Sequence, residues 1–257
     1  MTIISNSPKT NQEAVPQING DVFSSNPESR FAVAVFDGQD VVSENPTRLV
    51  QAYLQLRANV YIDQIGVLED DQRRLDGTEI DKDDERSTHF VLIENVVGKI
   101  AIFGCMRLIE KNADNNENLP IETFFPESFD EPVQKGGIEV SRFIVRHDEA
   151  RQRGHAKLNL IRTGLAHTLR NDLGPVYATI EPEFERDLRS VGVPTEKVTS
   201  PKYIEEYNTS NYGIKIDKYS LKDSLGERAT NQLAIAKGAI GGFWGSLENS
   251  DQDLRIA

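Results

Sequence analysis

The chain has 257 residues, 38% of them hydrophobic and 27% charged, with a net charge of -12. That length and balance suit a soluble globular protein of one large domain or two small ones, and so acidic a chain excludes general nucleic-acid binding, which needs a basic face. A lone cysteine, Cys105, forbids an internal disulfide and fits a reducing cytoplasm; the N-terminus lacks the basic-then-apolar layout of a signal peptide, and no run approaches the roughly 20 apolar residues of a transmembrane helix.

Residues 1–29 are polar and rich in Asn, Ser and Pro, which reads as a mobile tail. A domain over 30–225 follows. FAVAVF (31–36) is predicted to be a strand. Asn45-Pro46 reads as an N-cap with proline in the first turn. The helix it opens carries Leu49, Val50, Tyr53, Leu54, Leu56, Val60 and Tyr61 at helical spacing. HFVLIE and KIAIFGCMRL read as two strands joined by a hairpin at Asn95–Gly98. Residues 111–137 form a long polar connection around the apolar island IETFF, and a loop of that length is usually functional or has structure of its own.

The next strand is IEVSRFIV, followed by a helix to about Arg170, the strand VYATI (176–180), and the helix PEFERDLRSVG with Gly192 as its stop. YGIKIDKYS (212–220) is the last strand expected. Residues 226–257 form a C-terminal extension containing the glycine-rich apolar segment LAIAKGAIGGFWG. The order β-α-β-β-β-α-β-α-β joins a hairpin to a strand–helix–strand crossover. It therefore predicts an α/β fold with a central mixed sheet and helices on both faces.

Charge placement singles out candidate site residues. Glu139, Ser141 and Arg142 interrupt a strand of high β-propensity, and Arg107 interrupts another. Charges buried there without partners are costly, so a buried Glu–Arg network lining a cleft is expected. Arg57 breaks the apolar face of the first helix, and Asp81 and Asp84 sit in an acidic run. Scattered histidines and one cysteine give no metal-ligand set.

Arg151-Gln-Arg153-Gly154-His155-Ala156, at the start of a helix after that strand, resembles the acyl-CoA-binding motif of the GNAT acyltransferase superfamily. Unpaired N–H groups at a helix N-terminus bind phosphate, and Gly154 permits close approach. Over roughly residues 50–180 the chain also resembles the acyl-homoserine-lactone (autoinducer) synthases, makers of quorum-sensing signals. The match lies in Arg57 and Tyr61, Glu79-Ile-Asp81-Lys-Asp-Asp84, Met106-Arg107-Leu108 and Glu139-Val-Ser141-Arg142, in family order. The family's tryptophan after the first-helix aromatic residue is replaced by Gly66-Val67, and the only tryptophan is Trp244. The N-acyl amino acid synthases, similar in fold, do not use the S-adenosylmethionine acceptor that this tryptophan serves.

The resemblance implies a GNAT-like N-acyltransferase. Its donor is an acyl thioester on coenzyme A or acyl carrier protein, its acceptor a small molecule (S-adenosylmethionine or an amino acid), and it holds no permanent cofactor. Glu139, Arg142 and Asp81 are the catalytic candidates, with Glu139 before Asp81 as the base. Arg57, Tyr61, Asp84, Arg107 and Ser141 bind substrate. The backbone of Phe143, Ile144 and Val145, with Arg151, Arg153, Gly154, His155 and Ala156, holds the thioester donor. Arg146, Arg151, Arg153, Lys157 and Arg162 cluster where a carrier protein or coenzyme A phosphates would dock. A plain N-acetyltransferase, or a non-catalytic acyl- or carrier-binding regulator, is the alternative.

Overall fold

The computed structural model describes residues 21–23, 31–96, 99–111, 117–129, 133, 136–190, 192–221 and 254–256. In chain order the elements are β1 (Asp21–Phe23), β2 (Phe31–Asp37), α1 (Gly38–Val42), α2 (Arg48–Ala58), β3 (Ser87–Val96), β4 (Lys99–Glu110), α3 (Pro120–Phe124), β5 (Ile138–Val145), α4 (Ala150–Arg170), β6 (Val176–Ile180), α5 (Pro182–Ser190), β7 (Glu196–Lys197), β8 (Lys202–Ile204), β9 (Thr209–Ile216) and β10 (Leu254–Ile256). The strands form one mixed sheet in the order β1-β2-β3-β4-β5-β6-β9-β7, with β8 on β9 and β10 parallel to β4. The expected α/β architecture is present. The segment LAIAKGAIGGFWG and most of residues 1–30 lie outside the described residues. The expected hairpin pairs down to Val96 and Lys99, and its tip lies outside them too.

Local chemistry moves several boundaries. Helix α2 is capped by Thr47, whose hydroxyl accepts the Val50 N–H at 3.3 Å, rather than by Asn45. The helix then widens into a π-helical turn over Asn59–Gln64, which carries Tyr61; such turns are common at functional sites. Strand β9 ends at Ile216, because the Asp217 carboxylate accepts the N–H groups of Tyr219 and Ser220 and turns the chain. The island IETFF provides α3 inside the long connection.

Helices cover both faces of the sheet. On one, α4 packs Ala156, Leu160 and Leu165 against Met106, Leu108, Ile138, Val176 and Ala178. On the other, α2 packs Leu49, Val50, Tyr53 and Leu54 against Ala32, Ala34, Val91, Ile93 and Cys105. Farther along that second face, Leu119, Ile121 and Phe125 close over Ile109 and Ile204. Cys105, Arg107 and Ile109 alternate on one face of β4. Arg107 therefore emerges between two apolar clusters, in a gap that neither fills.

Two departures from regular pairing open this gap into a cleft. Strand β5 runs parallel to β6 only over Ile138–Val140 against Val176–Ala178, after which the two separate. Between the pairs Cys105↔Ile144 and Arg107↔Ser141, β4 spends one residue and β5 two, a β-bulge at Arg142–Phe143. Arg142 sits there at φ 51°, left-handed for a non-glycine residue. Regular alternation would turn Arg142 away from Glu139 and Ser141; the bulge returns it to their side, then sends Phe143 to the α4 side and Ile144 under α2.

The β4–β5 approach depends on Gly104, where a Cβ would lie 2.3 Å from the Ile144 carbonyl oxygen. Gly104→Ala is expected to destabilise the protein by about 1–3 kcal/mol, as overpacking does. Urea unfolding checks this, and an unchanged midpoint would show that the strands are not held so close.

Candidate active site

Three arginines and three carboxylates form the centre of the gap. From α2, Arg57 bonds Asp84 through Nη1 and Nη2 at 2.6 and 3.0 Å, and Glu79 through Nε at 2.5 Å. From β4, Arg107 grips Asp81 at 2.5 and 2.9 Å, reaches Asp84 at 2.7 Å, and donates through Nε to the Ser141 hydroxyl at 2.9 Å. From the bulge, Arg142 Nη2 bonds both Glu79 and Asp81 at 2.9 Å, and its guanidinium lies 5.1 Å from the Tyr61 ring centroid. Arg57, Glu79, Asp84 and Arg107 are buried, and the charges balance three against three.

Burial alone would raise these carboxyls, yet the arginines outweigh it. Arg57 and Arg107 hold Asp84 well below the usual carboxylate range, Arg57 and Arg142 hold Glu79 down, and Arg107 and Arg142 hold Asp81 down. All three remain ionised at neutral pH. Burial pushes His89 down to about 4, so its ring stays neutral.

Beside this network is a cavity of about 500 Å³, lined among others by Tyr61, Val67, Asp81, Arg107, Glu139, Ser141, Arg142, Phe143, Thr179, Phe184 and Tyr207. It opens where β5 and β6 separate. A narrower apolar hollow of about 40 Å³ continues on the α4 side and shares Val140, Phe143, Ala178 and Phe184 with it. A third hollow, of about 800 Å³, lies outside Glu79, Asp81 and Arg142 and is flanked by Arg73, Arg74 and Lys82. Asp81 and Arg142 thus face two openings. The Nε of Arg142 and the hydroxyl of Thr179 are buried without hydrogen-bond partners among the described residues, and both residues line the main cavity.

Glu139 stands apart from the arginines. Its carboxylate accepts the Ile121 N–H at 2.8 Å. Burial, followed by the nearby acidic Asp83 and Glu122, raises its pKa to about 8. The buried Glu–Arg network expected from the sequence is therefore an Asp/Glu79–Arg network without Glu139, because the loop bearing Glu79, Asp81 and Asp84 reaches the arginines first. Three other expectations are corrected. Arg57 and Asp84 are wholly buried and line neither hollow beside the network, so they cannot touch substrate in this conformation. Asp81, held down by Arg107 and Arg142, is a weak base. Sequence reading quoted Glu79 within its motif without giving it a role, and missed Tyr53 and His89. Tyr53 sits on the apolar stripe of α2 and His89 within a strand, so both patterns read as plain core.

At the donor end, the first backbone bond of α4 runs from Arg153 N–H to Glu149 C=O at 3.0 Å, which leaves the N–H groups of the preceding turn directed out of the helix. Gly154 is exposed, and a side chain there would meet open space within 4 Å. Arg151 and His155 are exposed, Arg153 is half-buried, and Ala156 is buried against the sheet. Lys157 pairs with Asp187 and Arg146 with Gln64, so those two members of the expected basic cluster are already engaged. Past Val140 the backbone of Ser141, Phe143, Ile144 and Val145 has no β6 partner.

A sequence profile described as autoinducer synthase matches residues 42–223. Among solved structures, the chain is similar to TofI in a ternary complex with an inhibitor and MTA (16% identity, 75% of this chain and 95% of that one, TM-score 0.56). It is also similar to the AHL synthase LasI (17%, 80% and 97%, 0.55) and to BjaI, a CoA-dependent acyl-homoserine lactone synthase with MTA (19%, 79% and 97%, 0.54). At these identities the likeness establishes the fold. No curated protein matches the chain by sequence.

The neutral state of His89 has a measurable consequence. In the unfolded chain a histidine protonates near pH 6.5; in the fold this one resists until about 4. The unfolded state then binds the extra proton between those values, so the stability due to His89 is present above 6.5 and is lost as pH falls towards 4. Denaturant unfolding from pH 7 to 4 is expected to show that decline, with a shallower slope in His89→Gln. Equal slopes would count against a buried neutral ring.

Proposed function

The chain belongs to the autoinducer synthase family and is an acyltransferase, and from that premise we propose that it acylates the α-amino group of a small acceptor bearing a carboxylate. Donor and acceptor meet in the cavity at the β5–β6 separation. The observation that carries this reading is the pairing there of a raised carboxyl, Glu139, with a fixed cationic wall, Arg107 and Arg142.

The donor enters from the α4 end. Its phosphates meet the N–H groups and positive dipole end of α4, and the thioester lies along the unpaired edge of β5. The acyl chain turns into the apolar hollow beneath Val140 and Phe143. There a Cβ on Gly164 would come within 2.0 Å of Met106 Cε, so these two residues bound its depth. The acceptor's carboxylate binds Arg142, whose partly exposed side chain lines the cavity, since the N–H groups of Arg107 are committed to Asp81, Asp84 and Ser141. Its ammonium faces Asp81.

Glu139 removes a proton from the acceptor's ammonium, directly or through a water, and the neutral amine so formed attacks the thioester carbonyl. The tetrahedral oxyanion is held by backbone N–H groups of the 141–145 stretch. Collapse breaks the C–S bond, the new amide nitrogen gives up its extra proton to water, and the thiolate leaves with the proton that Glu139 returns. No covalent enzyme intermediate is needed, so positioning supplies much of the rate. Where the acceptor is S-adenosylmethionine, as in the BjaI structure described with SAM and isopentyl-CoA, the product goes on to a lactone; where it is an amino acid, the N-acyl product is final.

Purified protein supplied with acyl-CoA and acyl-carrier thioesters, each with S-adenosylmethionine and with free amino acids, is expected to yield an N-acyl product detected by mass spectrometry. An acetylated product alone would favour a plain N-acetyltransferase, and no product with any pair would favour a binding protein. Glu139→Gln is expected to lose about 10²–10⁴ in turnover, the range of a general base. Wild-type activity should rise with pH through about 8 as the carboxyl ionises. At pH 8 and above the variant should be at least as stable as wild type, because the raised pKa means that ionisation disfavours the fold. Near wild-type turnover in the variant would remove Glu139 from the mechanism.

Gly154→Val places a branched side chain where the donor phosphates approach. The KM for the thioester is expected to rise several-fold while that for the acceptor holds. Equal changes in both would show that this helix end does not bind the donor.

A further inference from the structure

Tyr53 and His89 have no accessible surface and line neither hollow beside the network, yet both are bonded into it. Chemistry settles the direction of every bond. His89 Nε2 lies 2.9 Å from the Asp84 carbonyl oxygen, which can only accept, so Nε2 carries the proton. Nδ1 of the neutral ring can then only accept, and the Tyr53 hydroxyl donates to it over 2.9 Å. With its proton committed there, the Tyr53 oxygen accepts the Arg57 Nη1–H at 3.0 Å. Arg57 closes the circuit on the Asp84 carboxylate at 2.6 and 3.0 Å.

The ring therefore runs Arg57, Tyr53, His89, Asp84 and joins helix α2, strand β3 and the acidic loop. It holds Asp84 at both ends, by its backbone carbonyl and by its carboxylate. A protonated His89 would offer N–H at both nitrogens and strand the Tyr53 proton, so the neutral ring that burial favours is the one that fits. Asp84 in turn accepts from Arg107 Nη1 at 2.7 Å, and Arg107 fixes Asp81 and Ser141 at the cavity wall.

We propose that Tyr53 and His89 are positioning residues for acyl transfer, which set Asp84 and, through Arg107, aim Asp81 and Ser141 at the acceptor. The proposal rests on the acyl-transfer reading of the cavity. A buried tyrosine–histidine pair that served only packing would need no such circuit. An apolar pair of the same shape can stabilise a core as well as a bonded one, whereas the bonded pair also fixes the Asp84 carbonyl and the Arg57 that grips its carboxylate.

Tyr53→Phe removes the hydroxyl and keeps the packed ring. Loss of a hydrogen bond to a charged group predicts a fall of about ten- to a hundredfold in kcat/KM for the acceptor. The donor KM should stay within about twofold, the scatter expected of an untouched site. His89→Gln, whose amide can donate to Asp84 and accept from Tyr53, should retain more activity than His89→Ala. Nitrogen NMR of the imidazole should show His89 as the Nε2–H tautomer in wild type, and Arg107 guanidinium exchange should be slow in wild type and faster in Tyr53→Phe. Unchanged acceptor kinetics in a folded Tyr53→Phe protein, equal shifts in donor and acceptor KM, or a His89 that titrates as an exposed histidine would each overturn the proposal. If wild-type protein transfers no acyl group, the functional reading fails separately. The positioning claim is then decided by Arg107 exchange, which supports it if Tyr53→Phe speeds exchange and overturns it if not.

Discussion

Three guanidinium groups held against three carboxylates under one helix set the terms for the rest of the molecule. Each of these ions left water when the chain folded, at a penalty of several kcal/mol per ion. Their mutual attraction recovers this only because almost every donor has an acceptor within 3.0 Å. A well-packed apolar cluster would do as much for stability. What the ionic cluster adds is definition: Arg107, with its planar fork bonded on three sides, has one orientation, and the cavity wall inherits it. Among the described residues the Nε of Arg142 is buried without an acceptor, while the side chain itself lines the main cavity.

The backbone makes that cluster possible. Arginines from α2, from β4 and from the bulge of β5 must converge on a loop of five or six residues. The bulge does most of this by setting Glu139, Ser141 and Arg142 on one side of a strand whose regular alternation allows only every second residue there. The same extra residue sends Phe143 to the opposite side, where it shapes the apolar hollow. One local irregularity thus shapes both the polar wall and the apolar hollow that the proposed acyl transfer would use. The left-handed conformation of Arg142 is the strain that accompanies it.

Much of this was legible in the sequence. Charged residues in strands of high β-propensity had to be buried together or exposed together, and motif order favoured the first. Helix–strand alternation gave the mixed sheet, since periodicity reports the long elements well. Partnership was not legible. Glu139 looked like the natural mate of Arg107 and Arg142 because it shares a strand with Arg142 and, like Arg107, is a charge within a strand, but which carboxylate reaches a guanidinium depends on how a loop folds, and loops carry no periodic signal. Tyr53 and His89 were hidden for the opposite reason: each obeyed the apolar pattern of its element, and a polar atom at the tip of a buried ring leaves no mark on that pattern. Short elements such as α1, β7 and β8 fall below the length at which any period can be counted.

Val67 lies on the cavity wall beside Tyr61, so that wall is aliphatic where related synthases have an indole. Tyr61 does not substitute for it, because Arg142 already lies over the ring, and a second cation would meet that charge. A sulfonium therefore gains no aromatic partner on this side, which forgoes about 0.5–2 kcal/mol, a factor of some tens in affinity at most. Phe124 and Tyr207, ring centroids 5.5 Å apart, offer an aromatic surface elsewhere in the same cavity. In the proposed reaction, recognition on the Tyr61 side rests on charge, with a carboxylate for Arg142 and an amine for Asp81 and Glu139. Both groups belong to the α-amino acid portion that S-adenosylmethionine and free amino acids share, so under that proposal this wall reads the reacting end of the acceptor and leaves discrimination between the two to the surfaces around its other end.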